Sequence, residues 1–252
     1  MGLTLNYKIL APVTTTADRN RDLVAAMHAV ACALQRAGRV KAVGRIGSSP
    51  KHLAWLSEWQ SVPVPGEPHT SRGIEVPAVA GYVFCVTLGE DSEPLRLGLC
   101  RYPTQVTDPQ TGRKRAVRRR GWRLAGFCKT QYASLHGWEH FRRCHTAAVD
   151  LLASLPKLGV KVEINDEGGY WPGRDEAGLR RMLDRMNGIV AAFAGAMKDA
   201  ADESGGAPVQ SPILAHPQFE RLEAEGIVRE GATINQAAEI VNRLGPHGPG
   251  TM

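Results

Sequence analysis

Residues 126–175 read GFCKTQYASLHGWEHFRRCHTAAVDLLASLPKLGVKVEINDEGGYWPGRD, and this stretch carries a dense set of chemically able side chains. Its pattern predicts a strand, a helix and a second strand. Apolar residues recur at helical spacing over 138–155 and place Cys144 and His145 on the inward side of the helix. Residues 160–166 alternate as a strand does. Such side chains inside regular elements are typical of a site.

The rest of the chain repeats this mixture of elements. Further strands are predicted over 3–10, 39–46, 79–88, 95–102 and 122–132, and long helices over 21–37 and 179–201. A short helix is predicted over 50–59, and residues 103–121 are expected to form a mobile surface loop. We therefore predict an α+β domain over residues 1–203, with a six-stranded mixed sheet and helices packed mainly on one face.

Two features of organisation qualify this prediction. MHAVACAL from Met27 aligns with CHTAAVDL from Cys144, which indicates two pseudo-repeated β-α-β halves, with chance similarity of Ala-rich helices as the alternative. Residues 204–252 change in texture. They are expected to form a linker, a helical hairpin over 217–225 and 235–244, and a disordered tail, a small C-terminal helical appendage suited to protein interaction.

Composition limits the class of protein. The 252 residues are 43% hydrophobic and 22% charged, which is ordinary for a globular chain. No apolar run approaches the roughly 20 residues of a membrane helix, and the first residues lack the pattern of a signal peptide. The five scattered cysteines favour a reducing compartment. We expect a cytoplasmic protein without a membrane partner.

Positive charge is concentrated in one segment. In RKRAVRRRGWR, residues 113–123, seven of eleven residues are Arg or Lys. Guanidinium groups pair with phosphates and an indole stacks on a base, so the segment predicts binding to nucleic acid or another polyanion. The residues concerned are Arg113, Lys114, Arg115, Arg118, Arg119, Arg120, Trp122 and Arg123. The alternatives are a solvated basic loop and a basic loop that docks on the acidic turn Glu90, Asp91 and Glu93.

A catalytic pocket is the competing hypothesis. The residues are Cys128, Lys129, Tyr132, His145 and Asp166, with His145 as base, Cys128 as nucleophile or ligand contact, and Lys129 as the holder of an anion. Cys128 and Tyr132 are expected on one face of their strand. The alternative is a buried histidine and inert core thiols.

A metal site is a third hypothesis. His136, His140 and Cys144 are spaced by four, so His140 and Cys144 could hold a divalent metal such as zinc. Gly137 argues that His136 precedes the helix, and the spacing matches no established zinc pattern. The null is that these histidines lie at a solvated helix start.

The segments MGLTLNYK, GLCRYP, FCKTQYAS, RCHTAAVDLL and DEGGYW resemble a family of bacterial proteins of unknown function. The resemblance covers about residues 1–203 and implies one module, but no activity. The sequence thus leaves two functions open: an enzyme-like or ligand-binding module with a Cys/His/Asp pocket, or a basic nucleic-acid-associated protein. A scaffold without chemistry is the null for both.

Overall fold

A computed structural model describes residues 3–53, 56–64, 66–204 and 208–228. The chain divides into two compact units. The sheet unit comprises residues 5–128 and 143–165, and the helical unit comprises residues 1–4, 129–142 and 166–252. None of the described helices is long and apolar enough to cross a membrane.

The elements of the described residues follow in chain order. The strands are β1 Thr4–Leu10, β2 Ala42–Val43, β3 Ser57–Val64, β4 Glu67–Pro77, β5 Ala80–Thr87, β6 Leu95–Arg101, β7 Gln105–Thr107, β8 Lys114–Ala116, β9 Arg123–Lys129 and β10 Lys161–Asp166. The helices are α1 Ala17–Arg36, α2 Pro50–Leu53, α3 Trp138–Ser154 and α4 Glu176–Ser204, with 3-10 helices over Gln131–His136, Leu155–Leu158 and Pro212–Ala215. Residues 219–228 are also helical.

The α+β class and all six predicted strands of the main sheet are confirmed. The strand order is β10-β1-β9-β6-β5-β2. The expectation of a mixed sheet is wrong, because every neighbouring pair is antiparallel. The segments β1-α1-β2 and β9-α3-β10 each join strands of the same direction, but other strands lie between the two members of each pair. Since β1 lies between β9 and β10, the proposed halves interleave in one sheet.

The helices of the sheet unit cover one face of the sheet, as predicted. Alternate residues of β1 and β6 point to this face, and Leu5, Ile9, Leu97 and Leu99 are fully buried there. His28 of α1 contacts Phe84 of β5 from the same side. The hydrophobic core of the unit therefore lies between this face of the sheet and the helices.

Gly126 of β9 leaves room for the Tyr7 side chain to lie across β9 on the helix-covered face of the sheet. The Tyr7 hydroxyl donates to the Arg96 carbonyl oxygen at 2.7 Å, which joins β1 to β6 over the intervening β9. A Cβ on Gly126 of β9 would lie 2.5 Å from that hydroxyl oxygen. Burial raises the pKa of Tyr7, so the phenol stays a donor.

Two hairpins form where the sequence predicts part of a short helix and a mobile loop. The predicted helix over 50–59 shrinks to α2, and β3 and β4 form a long antiparallel hairpin. Residues 103–121 are not a mobile loop, because β7 and β8 pair as a second hairpin. The Gln60 side-chain amide donates to the Ala116 carbonyl oxygen at 2.9 Å and ties the hairpins together.

The helical unit contains α4 and the helix over 219–228, which corresponds to the helix predicted over 217–225. Two glycines let these helices approach closely: a Cβ on Gly188 would lie 3.4 Å from the Gly226 Cα. Val190, Ala191, Ala194, Ile213 and Leu222 form the core of this contact. Residues 208–228 thus pack on α4; the helix predicted over 235–244 and the predicted disordered tail lie outside the described residues.

A polar network lies inside the helical unit. The Gln131 side-chain carbonyl accepts from the Leu3 backbone N–H at 2.9 Å, and its amide donates to Asn187 at 2.8 Å. Asn187 in turn donates to the Ser134 hydroxyl at 3.2 Å. Paired buried amides avoid the cost of lost hydration, so the network fixes the 3-10 helix against α4.

Candidate functional site

The candidate site lies on the face of the sheet opposite the helices. Strand alternation directs Lys8, Arg96, Arg123 and Phe127 to this face, whereas their chain neighbours enter the core. We call it the open face. It combines cations and an exposed ring, and part of it is covered, because Cys100 on the same face as Arg123 is fully buried.

Glu58 of β3 reaches this face and organises two arginines. Its carboxylate accepts hydrogen bonds from Arg119 Nε and, at 2.8 Å, from Arg123 Nε. Arg119 also donates to the Trp59 carbonyl oxygen at 2.8 Å. The Glu58 side chain is 8% exposed, and one carboxylate faces two guanidinium groups. The cluster therefore keeps one net positive charge.

A cavity of about 650 Å³ opens beside this cluster. Its volume lies within the range of typical ligand sites, roughly 300–1,000 Å³. Four cations and two carboxylates lie in its wall, namely Lys8, Arg96, Arg119, Arg123, Glu58 and Glu93. The other lining residues are Leu56, Ser57, Trp59, Pro94, Ala125, Gly126 and Phe127. The cavity thus favours an anion.

Two residues with exposed aromatic rings, Trp59 and Phe127, contribute to the wall of the same cavity. Trp59 is 66% and Phe127 is 54% exposed, although large rings are normally covered. A Cβ on Gly73 would lie 2.8 Å from the Trp59 ring, so this ring rests on the glycine of the neighbouring strand. Packing of this kind fixes the ring and leaves its other side for a ligand.

Arg96 is the cation most available to a ligand. Its guanidinium makes no hydrogen bond or ion pair within the described ranges, whereas Lys8 lies 3.7 Å from the Glu163 carboxylate. A guanidinium offers five donors in a planar fork that suits carboxylates and phosphates. Arg96 can therefore bind an anion without breaking an existing pair.

A second arginine cluster holds the β7–β8 hairpin. Asp108 is fully buried, accepts from Arg72 and lies 3.6 Å from Arg115. The hydrogen bond from Arg72 holds the pKa of Asp108 well below its ordinary value. Since Arg72 belongs to β4, the cluster joins the two hairpins.

The structure separates the basic segment into two groups. Arg115, Arg119 and Arg123 are paired with carboxylates, as described above. In the second group, Arg113, Lys114, Arg118 and Arg120 of this segment are exposed and make no ion pair to any described residue. Trp122 does not offer a stacking surface, because it is 7% exposed and donates to the Thr15 carbonyl oxygen at 3.0 Å.

Cys128 and His145 of the predicted catalytic pocket, and Cys144 of the predicted metal site, lie in the core of the sheet unit. Cys128, Cys144 and His145 are fully buried. Cys128 donates to the Glu93 carbonyl oxygen at 3.1 Å, and burial raises its pKa to about 12. Both properties oppose formation of a thiolate nucleophile. Burial also raises the pKa of Cys144.

The other members of that pocket belong to the helical unit. Strand β9 ends at Lys129, so Tyr132 lies in the following 3-10 helix and the expected shared face of Cys128 and Tyr132 is wrong. Asp166 accepts hydrogen bonds from the backbone N–H groups of Gly168 and Trp171, at 2.7 and 2.9 Å, and so caps a turn. The catalytic role of this set stays a prediction.

The zinc hypothesis also stays a prediction. The rings of His136 and His140 lie 5.0 Å apart, centroid to centroid. Within residues 3–53, 56–64, 66–204 and 208–228, no group of three His, Cys, Asp or Glu side chains is placed to hold a metal ion. The geometry therefore supplies no support for a metal at His140 and Cys144.

Comparison of the chain with protein-family models, curated proteins and solved structures gives no match. The predicted resemblance to a bacterial family is therefore untested. Function rests on the chemistry of the open face, since a fold alone does not imply an activity.

Proposed function

We propose that this chain binds single-stranded nucleic acid on the open face of its sheet. The observation that carries the proposal is that Trp59 and Phe127, whose rings are exposed, both contribute to the wall of one cavity that holds four cations and two carboxylates. Proteins that bind single strands combine a positively charged groove with aromatic side chains on which bases stack.

Exposed rings favour a single strand over a duplex. Bases within a duplex are stacked on one another, so their faces cannot reach a protein side chain without being extruded. Unpaired bases offer a π-face whatever their sequence, and stacking on an aromatic side chain contributes about 1–3 kcal/mol per base. Trp59 and Phe127 thus suit splayed bases.

The charges supply sites for phosphates. Arg96 can contact a phosphate directly, and the Glu58 cluster holds Arg119 and Arg123 in fixed positions beside it. The exposed Arg118 and Arg120 flank Arg119 in the chain, so the backbone of a strand leaving the cavity would meet further cations. Clustered arginines of this kind track a phosphate backbone.

The test is fluorescence anisotropy with a labelled single-stranded oligonucleotide of about 12 nucleotides, within the site sizes of known single-strand binders. We expect binding that weakens steeply between about 50 and 200 mM salt. DNA and RNA forms of the oligonucleotide are compared, and either supports the proposal. The unlabelled duplex of the same sequence is expected to compete poorly.

Variants of exposed residues separate stacking from charge. Phe127→Ala is expected to raise Kd about 5- to 150-fold, corresponding to about 1–3 kcal/mol. Arg96→Ala is expected to reduce the steepness of the salt dependence by about 0.7, the share of one phosphate. The controls are Val13→Ala, an apolar side chain that is 79% exposed, and Arg36→Ala on α1. Equal effects of test and control variants, or preference for duplex, would reject the proposal.

A further inference from the structure

The C-terminal half of α1 holds a cysteine and a histidine one helical turn apart. Cys32 Sγ lies 3.6 Å from His28 Nδ1, and His28 Nε2 lies 3.0 Å from the Gly44 carbonyl oxygen. A carbonyl oxygen only accepts, so Nε2 carries the ring hydrogen. In the neutral ring Nδ1 is then the acceptor for the Cys32 thiol.

The histidine ring is held in this orientation. It meets the Phe84 ring edge to face, with centroids 4.9 Å apart and an interplanar angle of 76°. Phe84 belongs to the sheet and is 3% exposed, so the contact fixes the imidazole from one side while Gly44 fixes it from the other. A nucleophile, a base and a group that orients the base are the components of an activated thiol.

The other cysteines differ from Cys32. Cys100, Cys128 and Cys144 are fully buried, and burial raises the pKa of both Cys100 and Cys128 to about 12. Cys85 is exposed, but its thiol has no hydrogen-bond partner among the described residues, whereas Cys32 is half-buried and its thiol faces a base. Among the thiols of the described chain, Cys32 combines access with a proton acceptor.

We propose that Cys32 is a histidine-activated thiol that exchanges with small disulfides. His28 Nδ1 takes the thiol proton while Cys32 Sγ attacks one sulfur of the disulfide. A new S–S bond forms to Cys32 as the S–S bond of the small disulfide breaks. The leaving thiolate then takes the proton from His28 and departs as a thiol, so the protein ends as a mixed disulfide and His28 is again neutral.

The test uses oxidised glutathione as the probe on the full, reduced chain under native conditions at neutral pH. Peptide mass spectrometry over a time course gives the rate of glutathionylation at each cysteine. We expect Cys32 to react about tenfold or more faster than Cys85, since general-base assistance commonly contributes about 10²–10⁴. Exposure alone predicts the opposite order, which makes Cys85 an internal control.

His28→Phe keeps a ring against Phe84 and removes the base. This variant is expected to slow Cys32 about tenfold or more and to leave the rate at Cys85 unchanged. An unchanged Cys32 rate in the folded variant would overturn the proposal. If His28→Phe does not fold, the native chain still decides: a Cys85 rate equal to or above that of Cys32 overturns the proposal, and the reverse order supports it.

Discussion

Replacing Glu58 by Gln tests how the cavity is held together. Gln keeps the shape of the side chain and one carbonyl acceptor but removes the charge between Arg119 and Arg123, which are 22% and 18% exposed. Removing one partner of a buried ion pair costs about 3–5 kcal/mol. Because both guanidiniums keep some solvent, we expect the lower end, about 3 kcal/mol in the free energy of unfolding.

The same substitution is expected to strengthen binding. The cavity wall holds four cations and two carboxylates, so its net charge rises from two positive charges to three. Each guanidinium released from Glu58 can contact a phosphate, and each added contact steepens the salt dependence by about 0.7 for a single strand. Glu58→Gln is therefore predicted to be less stable yet to bind an oligonucleotide more tightly at low salt.

Thermal unfolding and anisotropy on the same samples measure both effects. A loss of about 3 kcal/mol corresponds to a fall in Tm of about 6–12 °C for a chain of this size. The control is Glu75→Gln, which removes the same charge from the exposed side of the same hairpin and should change stability by no more than about 0.5 kcal/mol. If Glu58→Gln is as stable as the native chain, or if the folded variant binds more weakly, Glu58 does not restrain the two arginines in this way.

Two further predictions concern the helical unit. A Cβ on Gly226 would overlap the Gly188 carbonyl oxygen, so Gly226→Ala is expected to lower the free energy of unfolding by about 1–3 kcal/mol in a denaturant titration. The control is Gly173→Ala, because a Cβ there meets nothing within 4 Å and should leave stability unchanged. Equal losses in the two variants would contradict this packing. Burial and then the charge of Arg221 lower the pKa of His216 in the folded state. The unfolded state therefore binds more protons, and stability should fall as pH drops below about 6.5, a dependence that a His216→Gln variant should reduce in thermal melts across pH; identical profiles would contradict it.

Local sequence patterns were sufficient to predict the strands of the main sheet and the α+β class of the fold. Leu97 and Leu99 alternate with polar or small residues, and this period locates their strand and its buried face. The order of the strands depends on pairing between distant segments, which a period does not encode. A mixed sheet was expected from the β-α-β segments, whereas each crossover passes over at least one antiparallel strand.

The hairpin of β3 and β4 was missed for a chemical reason. Pro63, Gly66 and Gly73 interrupt its sequence, and proline and glycine usually mark loops. Here a shift in register between Pro63 and Val64 accommodates the interruption. Glu75 and Trp59 are cross-strand partners on the exposed side, but their separation in sequence hides the pairing.

The candidate site was predicted in part. The basic segment includes Arg119 and Arg123, but their carboxylate partner is 61 and 65 residues away in sequence. Side chains alternate between the two faces of a strand, so the predicted strand could have placed the Phe127 ring on the exposed face, opposite Cys128. The inward positions of Cys144 and His145 were predicted from the helical pattern, and burial of both side chains is what the structure shows.

Stacking of bases on the exposed rings can be located by ultraviolet cross-linking of the native chain to a single-stranded oligothymidine, followed by peptide mass spectrometry of the adduct. We expect adducts on the peptides that carry Trp59 or Phe127, and their loss in the double variant of these residues to Ala. Adducts confined to the exposed Arg113 and Lys114 region, or no adduct in the presence of bound oligonucleotide, would contradict stacking on the open face of the sheet.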